Sequence, residues 1–214
     1  MNNYSLQEKM IDYFQRLTSE SYQLVNHVGL SSEPIPLEEL LPSLSERLDS
    51  LKRKTILTYK DLNRPQLNQK KKNSKLGVGL NSVGMLADRL SILIIKEWCL
   101  RNKTNANLTK ADELYQTQTM DIINAMAKAE PGSSSMNTKL THHKSGVNAD
   151  SWEEAFYGLL STNLLLWESQ EILYVKDITG LPSEELRDYI KWFSFGNIQR
   201  NAYIEHCELL YWYN

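Results

Sequence analysis

The stretch Asn81–Arg101, NSVGMLADRLSILIIKEWCLR, decides the fold. Val83, Leu86, Leu90, Leu93, Ile94, Ile95 and Trp98 recur at helical spacing on nearly every side of it. A helix apolar all round must be enclosed, so this segment reads as the central helix of a bundle. Amphipathic segments that supply the surrounding layer lie on both sides. Upstream, residues 5–28 place Leu6, Met10, Tyr13, Phe14, Leu17, Leu24, Val25 and Val28 on one face, and Gly29 ends the run. A second stretch follows Pro34, Pro36 and Pro42, puts Leu44, Leu48 and Leu51 on one stripe, and stops before Pro65. Downstream, a helix over about 109–129 ends at Pro131-Gly132. Two long helices follow, over about 150–175 and 183–211, with Thr179-Gly180-Leu181-Pro182 as the turn between them. So short a turn makes them antiparallel neighbours.

Helix starts are marked by a Ser, Thr or Asp with an acid three residues later, which satisfies orphan backbone donors or favours the helix dipole. Such pairs occur at Ser5/Glu8, Ser43/Glu46, Thr109/Asp112 and Asp150/Glu153. No segment alternates with a period of two, and 9 Gly with 6 Pro are few for a turn-rich β protein. The expectation is a single all-α domain over 1–214, a bundle of about six helices. It divides into N-terminal helices (1–64), a basic loop (65–79) and a bundle core (80–214) with a polar, mobile loop at 131–149.

With 24 Lys and Arg against 26 Asp and Glu, the net charge of −2 excludes a whole-surface electrostatic grip on nucleic acid or anionic membrane. The run Lys70, Lys71, Lys72, Lys75 is a solvated tip or a local anion-binding loop. Cys99 and Cys207 both fall in apolar helical patterns, and no CxxC pair exists for zinc. The N-terminal MNNYSLQEKM lacks the basic start and apolar run of a signal peptide, and Ile92–Ile95 is too short to span a bilayer. A cytoplasmic protein with buried thiols is expected. His142 and His143 lie in the polar loop without fixed partners, and there is no HExxH, glycine-rich phosphate loop or nucleophile elbow.

The C-terminal helices carry polar residues where core residues belong. In LLSTNLLLWESQEILY (159–174), Asn163, Trp167 and Glu171 recur at i, i+4 and i+8. In FGNIQRNAYIEHCELL (195–210), Asn197, Asn201 and Glu205 do the same, with Arg200 one position round. Asp88 and Arg89 interrupt the central helix. Buried amides and charges are costly unless paired, so these residues are expected to form either a polar ligand or partner site or a set of structural clamps.

At these residues the chain resembles a bacterial helical family known as the domain-of-unknown-function family numbered 4254. The resemblance rests on an LADRLSIL helix (Leu86–Leu93), on Asn163, Leu166, Trp167, Gln170 and Glu171, and on Asn197, Arg200, Asn201, Ile204 and Glu205. It covers about residue 80 onward, with Gln170 and Tyr174 in place of the family's usual acid and Arg. It implies an all-α fold with a polar core shared by three helices, and it implies no reaction.

Two enzyme readings stand beside a binding bundle. Glu168-x-x-Glu171 and Glu185-x-x-Asp188 on consecutive helices match the acid spacing with which MazG-type pyrophosphohydrolases hold Mg²⁺ against a nucleoside triphosphate. Against this, Glu185 sits in a first helical turn, where an acid is ordinary start chemistry. Arg200-Asn201 followed by His206 matches the R-x4-6-H motif of HEPN-type ribonucleases, in which Arg stabilises phosphorane charge and His moves the proton. Five intervening residues set these side chains apart on one helix, so that scheme requires a homodimer.

Overall fold

A computed structural model describes residues 5–28, 64–65, 81–103, 105–129, 149–175 and 178–213. Side chains are described for all of these except Val28, residues 171–175, Ile178 and Tyr213. The expected helix after Pro42, Ser43/Glu46, the Lys70–Lys75 run and the 131–148 part of the polar loop, including His142 and His143, lie outside the described residues.

The described chain is all-helical. Its helices are α1 (Leu6–Val28), α2 (Val83–Asn102), α3 (Leu108–Leu114), α4 (Met120–Ala127), α5 (Trp152–Val175) and α6 (Ser183–Tyr213). A π-helical turn, Tyr115–Thr119, joins α3 to α4, and a 3₁₀ turn, Ile178–Gly180, precedes α6. The fourth expected helix is thus present but widened in its middle. There the Met120 N–H reaches back five residues to the Tyr115 carbonyl.

As its composition requires, α2 contacts every other described helix. Its buried face includes Leu86, Leu90, Ile94 and Ile95, packed against Tyr13, Phe14 and Leu17 of α1 and Phe156, Leu159 and Leu160 of α5. The paired helices α5 and α6 run antiparallel: Gly158 meets Tyr203, Leu166 meets Gly196, and the Tyr189 hydroxyl donates to the Ser169 carbonyl at 2.8 Å. Close approach explains two glycines. A Cβ on Gly84 would stand 2.2 Å from the Ile204 carbonyl oxygen, and one on Gly158 2.2 Å from the Tyr203 ring.

At the α1 start, Ser5 and Glu8 form the full expected capping box, with bonds of 2.7 and 3.2 Å. The other two described starts need correction. At α5 the cap is Ser151, whose hydroxyl accepts from the Glu154 N–H at 3.1 Å. Glu153 instead turns into the core, where the Tyr13 hydroxyl donates to it at 2.5 Å. At α3 the cap is Asn107, accepting from the Lys110 N–H at 2.9 Å, and Asp112 is released to bind Arg101. No described helix is long and apolar enough to cross a membrane.

Candidate functional site

The expected polar centre exists in part. Asp88 (3% exposed) projects from mid-α2 between α5 and α6. Arg200 of α6 holds its carboxylate in a two-pronged bond, Nε to Oδ1 at 2.7 Å and Nη2 to Oδ2 at 2.6 Å. From α5, the Asn163 amide donates to Asp88 Oδ1 at 3.0 Å and to Ser91 Oγ at 2.7 Å. Ser91 in turn donates to the Asp88 carbonyl at 2.8 Å. One turn separates Asp88 from Ser91, so both face the same seam. The result is a three-helix network in which both carboxylate oxygens are satisfied.

Arg89 is exposed, about 100° round the helix from Asp88. The Asn197 amide donates to the Phe193 carbonyl of its own helix at 2.9 Å. Trp167, Asn201 and Glu205 are half-buried. Glu171 lies on α5, but its side chain is outside the described residues.

The acids of the pyrophosphohydrolase pattern are dispersed in environment. Glu168 is buried, whereas Glu185 is exposed and Asp188 is exposed beside Lys191 at 3.9 Å. Among the described residues no group of three or more His, Cys, Asp or Glu is placed to hold a metal ion. The ribonuclease pair is held by separate partners: Arg200 by Asp88, and His206 Nδ1 by the Ala202 carbonyl at 2.9 Å. Six positions of helix separate them by about 9 Å of rise.

Two further buried carboxylates are structural. Glu208 (4% exposed) accepts the Gly84 N–H and the Trp212 indole N–H, each at 2.9 Å. It thereby caps α2 from α6 and meets the positive end of that helix dipole. Burial still raises its carboxyl above the ordinary range, opposed by those donors. Glu153 accepts from the Tyr13 hydroxyl, with Arg64 Nε 3.9 Å from the same oxygen. Burial, and then the Glu153 charge, push the Tyr13 phenol far up.

A second polar group lies where α1, the C-terminal half of α2 and the π turn meet. A cavity of about 330 Å³ opens there, lined by Thr18, Ser19 and Tyr22 from α1 and by Glu97 and Arg101 from α2. Asp112, Tyr115 and Gln116 close its third side. Glu97 is 7% exposed. Its Oε1 accepts from Arg101 Nε at 3.0 Å, and Arg101 Nη2 reaches Asp112 at 2.7 Å. Among the described residues Arg101 is the sole hydrogen-bond donor to Glu97, whose side chain lines the cavity. Burial raises the Glu97 carboxyl, and Arg101 only partly offsets it. Burial, with a smaller push from Glu97, also raises the Tyr115 phenol.

No family model, curated protein or solved structure matches the chain. The functional reading therefore rests on the geometry. Neither the cavity nor Ser91 was expected from sequence. The available signals were modest: Ser91 lies three residues after Asp88, and Glu97 and Arg101 form an i, i+4 pair on the otherwise apolar helix.

Proposed function

We propose that the protein is a ligand-binding helical bundle whose binding site is the cavity beside Glu97, with the Asp88–Asn163–Arg200 network acting separately as a clamp that holds α2 against α5 and α6. One observation carries this reading. A buried glutamate, hydrogen-bonded among the described residues through one oxygen only, lines a cavity of about 330 Å³, and a π-helical turn forms part of the wall. Buried charge is retained against its desolvation cost only where something compensates it. A π turn gives up regular helical hydrogen bonding, a cost found often at functional sites. The Asp88 network, by contrast, has no unused acceptor on its carboxylate.

The test is a charge-diverse fragment panel titrated into the full chain and followed by backbone amide NMR. Hits are expected to shift the amides of residues 18–22, 97–101 and 112–116. They are lost in Ser19→Trp, which places an indole at the cavity edge from an exposed position. Hits confined to other surfaces, or unchanged in Ser19→Trp, would refute the assignment.

A further inference from the structure

The cavity wall has a definite charge. Two of its side chains, Glu97 and Asp112, are carboxylates and one, Arg101, is a cation; the others are hydroxyls and an amide. With both acids ionised, the lining carries one net negative charge. Arg101 lies between the two acids and binds both, so its guanidinium is already compensated from two sides. One negative charge is thus left over on the Glu97–Arg101–Asp112 chain, of which Glu97 is the buried member.

Resting on the reading above, we infer that the ligand is a small organic monocation. Its ammonium or guanidinium head would take up the second oxygen of Glu97, with the Tyr22 and Tyr115 side chains alongside. Three alternatives fit less well. An anion would approach two carboxylates while competing for an arginine already bound to both. A divalent metal needs several oxygen ligands converging on one point, and here an arginine head stands between the acids. A neutral ligand leaves the buried charge uncompensated. A monocation neutralises it, and its N–H donors can bond the Glu97 carboxylate. Aromatic rings are favourable neighbours for such a head group.

Four probes with one alkyl tail separate these cases: n-butylamine, n-butylguanidine, 1-butanol and butyrate, each titrated into the full chain under the same NMR readout. The two cations are expected to bind at the cavity amides, at least tenfold more tightly than butanol, with butyrate weakest. Glu97→Gln keeps the side-chain shape and removes the charge; it is expected to weaken cation binding at least tenfold. Asp112→Asn makes the same change at an exposed position where folding is not in question, and is expected to weaken it in the same direction.

Butanol or butyrate binding at the cavity as tightly as the amine would overturn the cationic assignment and leave the cavity as a binding site. Cation binding unaffected by both variants would overturn it as well. Absence of shifts at the cavity with these four, while other fragments shift it, removes the ligand class alone. Absence with every fragment removes the binding site too.

Discussion

Replacing Arg200 with Leu tests whether the three-helix network is a clamp. Asp88 is nearly inaccessible, and its carboxylate accepts two bonds from Arg200 and one from Asn163. Leucine would leave the buried charge with a single neutral donor. Breaking a buried ion pair by removing one partner costs about 3–5 kcal/mol. Arg200 keeps about a quarter of its side chain exposed, so the lower figure applies here. For a domain of this size about 3 kcal/mol corresponds to a fall in Tm of roughly 6–12 °C.

The same reasoning makes a sharper claim about the pair. Asp88→Leu alone strands the arginine, which can still reach water through its exposed edge, and should cost somewhat less. In Asp88→Leu/Arg200→Leu no charge is left buried, and replacement of a buried pair by apolar side chains is often neutral or stabilising. The double variant is therefore expected to be more stable than Arg200→Leu alone, with a coupling of about 2 kcal/mol between the two sites. Chemical denaturation of the four proteins gives the full cycle. An Arg200→Leu cost below about 1 kcal/mol, or additive single-variant costs, would refute the clamp.

Gly84→Ala brings a methyl group against the Ile204 backbone at 2.2 Å and must push α2 from α6. It is expected to cost about 1–3 kcal/mol in thermal unfolding despite alanine's better helix propensity. Gly180→Ala, with nothing within 4 Å, should be near neutral, and equal effects would contradict the close approach. Tyr13→Phe removes the 2.5 Å donor to buried Glu153 and should cost about 1.5–3 kcal/mol by denaturant titration; no loss would mean that the bond contributes nothing. Glu97 and Glu208 both have carboxyls raised by burial above the ordinary value of 4.5. Between that value and the higher folded one the native state holds more protons than the unfolded chain, so their contribution to stability falls as pH rises through the window. Arg101, Asp112 and Tyr115 face Glu97 and are retained in Glu97→Gln, so flattening of the stability–pH curve in this variant isolates the one carboxyl. An unchanged slope in both Glu97→Gln and Glu208→Gln would refute the assignment.

What the sequence made legible follows from the range over which each feature is determined. Helix existence depends on spacing along one segment, so the enclosed α2 and the antiparallel α5 and α6 could be read directly. Start signals were less exact, because pattern and burial compete for the same residues. Asp150/Glu153 and Ser151/Glu154 both fit the capping spacing. The choice between them is made by Tyr13, some 140 residues away, which draws Glu153 inward. For the polar centre, spacing correctly brought Asp88, Asn163 and Arg200 to one seam. It also swept in Arg89, because adjacent positions differ by about 100° on a helix and the pattern did not specify which of the two faced inward. Asn197 was included although its amide is satisfied within its own helix.

The cavity was not legible because a void is a property of packing among three segments, and nothing in YQTQT announces a π turn. Its significance emerges from comparing three buried acids. Asp88 and Glu208 are each satisfied on both oxygens, one by an arginine and an amide, the other by a helix N-terminus and an indole. Their neighbours account for them without any ligand. Glu97 is as buried in kind, is hydrogen-bonded among the described residues through Oε1 to Arg101, and lines a cavity. That combination of burial and an adjoining cavity is the ground on which a ligand is proposed there.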